Sequence, residues 1–263
     1  MNAAVARLEN DASAELSDML RKSVQDFAAL HPGVARTRRH RDLEPGYDPT
    51  IWGAMAQAGW TGIAIPEASG GLDLGLAEIC IVAEELAADL APEPFGPATV
   101  AALAIARGDN AALRERLLPR IVSGDILPAL AWQEDANTID ALAPSARLAP
   151  IPDGGLMMSG TKRFVPAAAG ATGFAVTVAT ADGPSIVWVA SDTPGLSIRG
   201  ELCVDGSWLH TIVFDGVQLT PGDVIASTAA TGPLLARLVD EAAVIGAAEL
   251  LGVIRAAFDR THA

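Results

Sequence analysis

The residues that most suggest chemistry lie in mid-chain. Gly155-Leu156-Met157-Met158-Ser159-Gly160-Thr161-Lys162 nearly spells a phosphate-binding P-loop, but its last two residues stand in inverted order. A P-loop needs its Lys directly after the second Gly and a hydroxyl residue next, where a helix opens at the end of a strand. Here Arg163-Phe164-Val165-Pro166 follows, which reads as strand, so a nucleotide triphosphatase is set aside. The sequence contains no GxSxG, HExxH or GxGxxG and no His/Asp ladder at metal spacing, which removes the common hydrolase, zinc and dinucleotide-binding readings. Cys80 and Cys203 stand far apart with no CxxC or His-rich neighbour. They read as small buried hydrophobes in a reducing compartment, and no metal site is expected.

The charged residues read blandly at first. Arg36-Thr37-Arg38-Arg39-His40-Arg41 would suit a phosphate, but in an acidic chain it reads as a solvated loop face. Glu84-Glu85 reads as a solvated helix face rather than an acid–base pair. Lys162 reads as a surface cation, Glu134 as a turn acid and Phe164 as a core aromatic. The formal net charge is −14, which argues against nucleic acid, whose phosphates need a basic face. An anionic small ligand would need locally placed Arg, Lys or helix N-termini.

These residues must be held by elements of two kinds. The chain is half hydrophobic but only 5% aromatic, so its core is built from small aliphatic side chains. Before Gly124 the sequence reads as helices. Residues 3–30 carry Val5, Leu8, Leu16, Leu20, Val24 and Phe27 at helical spacing. Asp48-Pro49 opens a helix as N-cap and first helical residue, and Gly59 closes it. Further helices are expected over 74–90, 97–108 and 110–121, the last with a kink or early stop at Pro119. From 126 to 226, short apolar alternations are broken by turn residues. The clearest strands are 173–181, 185–190 and 208–214, with turns at Asp182-Gly183-Pro184, 192–195 and Asp215-Gly216, which argues for a small antiparallel barrel or sandwich. The uncharged run 164–181 is broken by Pro166, Gly170 and Gly173 and then alternates, so it is not a membrane span. Residues 233–260 form one long helix, apolar on every side, and such a helix is stable only when surrounded. The N-terminus carries early acids and no apolar signal core, so a cytoplasmic location is expected.

Two mid-chain phrases, Leu130-Ala131-Trp132-Gln133-Glu134 and Gly160-Thr161-Lys162-Arg163-Phe164-Val165, resemble the paired strand motifs lining the flavin pocket of the acyl-CoA dehydrogenase family. The earlier run from Trp52 through Ala58-Gly59-Trp60, Ile65-Pro66-Glu67, Gly70-Gly71 and Glu84-Glu85-Leu86 is similar to that family's N-terminal phrase. The resemblance is collinear over the whole sequence. It implies an α+β multidomain protein with a helical N-terminal domain (1–125), a middle β domain (126–226) and the first helix of a C-terminal helical bundle (227–263).

The family carries out α,β-dehydrogenation of acyl-CoA thioesters, which needs a base for the α-proton, donors for the thioester oxygen and a hydride acceptor. The resemblance implies FAD as that acceptor, acyl-CoA as substrate, electron-transfer flavoprotein as electron partner and a homo- or hetero-oligomer without nucleic-acid or membrane partners. It places Trp132 and Gln133 at the pyrimidine edge of the flavin, and Phe164, Val165 and Pro166 near N5 and O4. Gln133 and Pro166 stand where the family carries hydroxyl residues, and Pro166 also lacks an amide N–H. The family's usual catalytic Glu and its Arg-x-Gln-Phe-Gly segment would follow Ala263. Some members place the base early in the helix over 233–260, where Glu241 is the nearest acid, one residue out of step. Pro166 and the distant base also allow a non-catalytic partner subunit or a truncated homologue.

Overall fold

The computed structural model describes residues 3–137 and 140–262; Thr138 and Ile139, in the loop after Glu134, lie outside them. Helix α1 (Ala3–Leu30) turns Leu20 and Val24 inward, as its spacing requires. Helix α3 (Pro49–Gln57) starts as its sequence predicts, with the Asp48 carboxylate accepting the Thr50 amide at 2.9 Å. Helices α4 (Leu76–Ala88), α5 (Phe95–Ala106) and α6 (Ala111–Val122) complete the N-terminal half. Pro119 does not stop α6, which runs on to Val122. The carbonyl that Pro119 cannot bond belongs to Glu115 on the exposed face, while buried Leu117, Leu118 and Ile121 hold the last turn in place.

Arg36, Glu84 and Glu85 are buried, whereas Arg38, Arg39 and Arg41 are exposed as expected. Arg36 lies in helix α2 (Gly33–His40), where a loop was expected, and is buried. Its guanidinium grips Glu93 with two hydrogen bonds, Nε–Oε1 at 3.0 Å and Nη2–Oε2 at 2.8 Å. Glu84 and Glu85 are also buried, because arginines from two other helices reach them. Arg255, on the long final helix α7 (Thr228–His262), donates to Glu84 at 2.7 Å and to Glu85 at 2.8 Å. Arg21 on α1 donates to Glu85 at 2.9 Å. Each carboxylate thus gains partners distant in sequence, which makes its burial tolerable.

The same arginine network clamps α7 onto α4, and Gly252 lets the two backbones touch. A Cβ at position 252 would overlap the Glu84 carbonyl oxygen and approach the Ala88 amide nitrogen at 3.1 Å. Gly252→Ala is therefore expected to destabilise the chain by about 1–3 kcal/mol, despite alanine's better helix propensity. Urea unfolding followed by circular dichroism reads this out, and an unchanged midpoint would disprove the close-approach argument.

Helix α7 then passes α5 and the sheet. Leu234, Leu235, Leu238 and Ile245 are buried, whereas Leu250, Leu251, Ile254 and Phe258 are exposed. Among the described residues, the predicted enclosure of this helix holds on one side only.

Among the described residues, eight strands form one hydrogen-bonded sheet: β1 (Pro128–Ala131), β2 (Arg147–Pro150), β3 (Leu156–Pro166), β4 (Gly173–Thr180), β5 (Gly183–Ala190), β6 (Leu196–Leu202), β7 (Trp208–Leu219) and β8 (Val224–Ala226). Their order is β6-β7-β3-β2-β4-β5-β8, with β1 pairing to β4. The expected antiparallel pattern holds except at β4, whose pairings with β1 and β2 are parallel. Strand β4 is buried from Gly173 to Val178, which explains the uncharged run there. No helix among the described residues is long and apolar enough to cross a membrane. Asp215-Gly216 is not a turn: Met158 faces Val217 while Gly160 faces Phe214, so these two residues bulge within β7, with Gly216 at φ +64°. Cys80 and Cys203 are free and only half-buried, so they are not the core hydrophobes expected.

Candidate functional site

The near-P-loop lies in strand β3, and its Lys162 is fully buried rather than exposed. The Lys162 Nζ donates to Glu134 Oε1 at 2.6 Å, to Thr177 Oγ1 at 2.9 Å and to the Trp132 carbonyl at 3.3 Å. Glu134 is more than a turn acid. It also accepts the Ser145 amide at 2.6 Å, the Ala146 amide at 2.9 Å and the Ser145 hydroxyl. Burial works against its charge, yet the hydrogen bonds from Lys162, Ser145 and Ala146 outweigh burial and hold its pKa down at about 2. Burial pushes the Lys162 ammonium the other way, below its ordinary range, with Glu134 opposing the shift in part. One ion pair therefore fixes the residues after β1 against β3 and β4. The Arg163 amide, donating to the Gln133 carbonyl at 2.8 Å, adds a second link.

Just beyond Lys162 the strand bulges. Lys162 pairs with Ile212 and Val165 with His210, so Arg163 and Phe164 share the space opposite Thr211. Phe164 takes φ +56°, a left-handed conformation that bulky side chains rarely adopt. Bulges of this kind re-aim the residues that follow. Here Val165 is buried, with the His210 imidazole Nδ1 at 3.2 Å from its carbonyl, and Pro166 emerges at a cavity wall. The Arg163 guanidinium lies 4.9 Å from the centre of the Phe164 ring.

That cavity, of about 430 Å³, is bounded by Leu130, Trp132 and Pro166 from the sheet, by the start of α5 and by one face of α7. Gln133 borders a neighbouring cavity of about 270 Å³ together with Trp132 and Glu134. Its side-chain amide donates to the Asp135 carbonyl at 3.1 Å. Among the described residues, the backbone amides of Gln133 and Glu134 have no acceptor. Trp132 and Pro166 thus meet at one cavity with Gln133 next door, while Phe164 and Val165 line neither.

Glu241 does not face the cavity between sheet and helix. It is held by Arg107 and by Arg237, whose Nε lies 3.0 Å away, and it borders a separate cavity with those arginines. Burial raises its pKa, but the two arginines outweigh this and leave it lowered, which suits a permanent carboxylate rather than a base. The next residue, Ala242, is the one that lines the first cavity. The acid that sequence reasoning missed is Glu249. It continues the stripe of Leu238, Ala242 and Ile245 on α7, and it lines the same cavity. An acid at a position where the helical spacing calls for an apolar residue was the available signal. No group of three His, Cys, Asp or Glu residues that could hold a metal occurs among the described residues.

Residues 14–125 match the family described as acyl-CoA dehydrogenase, N-terminal domain. The chain is 34% identical over 125 residues to acyl-CoA dehydrogenase IpdE2 of Mycobacterium tuberculosis, covering 46% of this chain and 38% of that protein. It is 28% identical over 253 residues to benzylmalonyl-CoA dehydrogenase of Aromatoleum aromaticum, covering 92% of this chain and 67% of that one. The chain thus spans between 38% and 67% of the length of these curated relatives. Among solved structures, it matches a variant of the Tcur3481-Tcur3483 steroid ACAD at a TM-score of 0.80 and 32% identity, over 96% of this chain and 66% of that one. It shares the fold of butyryl-CoA dehydrogenase from Megasphaera elsdenii at a TM-score of 0.80 and 20% identity, over 92% and 66% of the two chains.

Proposed function

The chain belongs to the acyl-CoA dehydrogenase family, and from that premise we propose that it is part of an FAD-dependent enzyme that dehydrogenates an acyl-CoA thioester between its α and β carbons. FAD, when bound, supplies the acceptor for the hydride that leaves the β carbon. The fit of a flavin to this chain rests on one observation. The indole of Trp132 and the amides of Gln133 and Glu134, which have no acceptor among the described residues, sit together at the end of β1, an apolar wall beside donors suited to the ring's pyrimidine edge. Pro166 offers a surface but no donor, so it would give a bound flavin no hydrogen bond.

In this reading, Lys162 and Glu134 position the first phrase, and the bulge at Phe164 presents Pro166 to the cavity. Leu130, Ala242 and Ile245 exclude water from the acyl group. Glu241 is given no proton-transfer role, because its arginines keep it ionised and turned aside. We assign electron-transfer flavoprotein as the electron acceptor, fatty acyl oxidation in the cytoplasm as the setting, and an oligomer as the working form. We retain the three-part division at 125 and 226.

The test is direct. The purified chain, incubated with FAD and desalted, is expected to retain a flavin visible spectrum, and Trp132→Ala is expected to weaken that binding about tenfold through lost aromatic contact. A wild-type chain that retains no flavin overturns the proposal.

A further inference from the structure

Two cavities meet at a single carboxyl. The cavity of about 430 Å³ beside Trp132 is apolar, and among the described residues Glu249 is the one ionisable group that lines it. Pro97, Pro166 and Glu249 also line a second cavity, of about 520 Å³, on the other side. Beyond that shared boundary the second cavity remains largely apolar but adds polar and charged groups, Thr37, Arg41, Tyr47, Glu93, Asp205 and Ser207, to its wall. Burial first, and then the charge of Glu93, push the Tyr47 hydroxyl up to about 12, so it remains a neutral hydrogen-bonding group.

The position of Glu249 is fixed by packing. A Cβ on Gly96 would overlap the Glu249 carboxylate and come within 3.3 Å of Ile245, so the carboxyl rests on the backbone of α5 at the wall between the cavities. Burial raises its pKa, with no hydrogen bond or cation among the described residues to offset the shift. Glu249 is half-buried, so water reaches its carboxyl in the free chain; an acyl chain that fills the cavity displaces that water, and a hydroxyl on the chain would replace the lost hydrogen bond. In a cavity otherwise apolar, one placed polar group sets orientation and selectivity.

We propose that Glu249 is the specificity-determining residue of the acyl cavity, selecting an acyl chain that carries a hydroxyl group and continues past this boundary into the second cavity. The assignment rests on the acyl-CoA reading given above. Its test uses the full chain and binding alone, followed by quenching of tryptophan fluorescence, since Trp132 lines one cavity and Trp208 the other. The probes are decanoyl-CoA and a panel of decanoyl-CoAs hydroxylated at successive carbons. At least one hydroxylated probe is expected to bind about tenfold more tightly than the parent. Glu249→Leu should abolish that preference, and Glu249→Gln, which keeps hydrogen-bonding capacity and similar volume, should retain part of it. Equal binding of all probes by the wild type overturns the role of Glu249 but leaves the acyl-CoA reading standing. So does a preference that survives in Glu249→Leu. Failure of every probe, the parent included, overturns both.

Discussion

Replacing Glu134 with leucine is expected to lower the free energy of unfolding by about 3–5 kcal/mol, because it strands a buried ammonium. Lys162 is fully buried, whereas the Glu134 side chain retains 16% exposure. The two halves of the pair are therefore unequal. Lys162→Met leaves a carboxylate that can still reach water and keeps its Ser145 and Ala146 donors, so it should cost less than Glu134→Leu. The double variant should recover much of the loss, since matched apolar groups often replace a buried pair with little penalty. Urea denaturation of the three variants tests the order, and Lys162→Met proving the more damaging single change would refute it.

The same pair fixes an acid limit. The folded-state pKa of Glu134, about 2, lies below its ordinary value of 4.5. Its contribution is therefore fully present above pH 4.5 and is lost as the pH falls from 4.5 through about 2. Wild-type stability should decline across that window, and Glu134→Leu should decline less. Because Lys162 also bonds the Trp132 carbonyl, the variants are expected to lose flavin binding along with stability. Loss of flavin at unchanged stability would separate the two roles.

Arg36→Met is the second large effect, again about 3–5 kcal/mol. The Glu93 side chain is 0% exposed, and Arg36 bonds both of its oxygens. Without the guanidinium, Glu93 must stay charged and unpaired or take up a proton. Arg36→Lys should recover only part of the loss, because an ammonium cannot make the paired, planar contact. Thermal unfolding of the two variants decides this. If Arg36→Met melts with the wild type, the pair contributes nothing. Glu93 also lines the second cavity, so Arg36→Met is expected to loosen the wall around Tyr47 as well.

Much of the architecture was legible because it follows from local rules. Asp48 caps its helix where its type and its Pro49 neighbour predicted, accepting a backbone amide within the first turn, and Asn110 does the same at the start of the helix expected from 110. The strands around 173–190 and 208–214 announced themselves through apolar runs bounded by turn residues, although β7 runs on past the expected turn to Leu219. The two phrases at 130–134 and 160–165 pointed to one region, and Trp132 and Pro166 do share a cavity. What misled was charge. Arg36, Glu84, Glu85 and Lys162 all read as solvated because their partners lie many residues away. Arg36 and Glu93 are separated by 57 positions, and Glu84 and Arg255 by 171. The bulges at Phe164 and at Asp215-Gly216 were likewise hidden, because a bulge is set by the register of two strands and not by either strand alone.

The sequence by itself determined the order of helices and strands, the acidic surface, the kinship of the two mid-chain phrases and the apolar girth of the last helix. These depend on spacing and residue type over a few turns, where backbone geometry is the governing constraint. Only the tertiary structure decided which charges are buried, that Glu241 faces its arginines while Ala242 and Glu249 face the cavity, and that two cavities share one carboxyl. The physical reason is that burial and pairing are settled by groups brought together from distant parts of the chain. The desolvation of a charge depends on those groups and not on its neighbours in sequence.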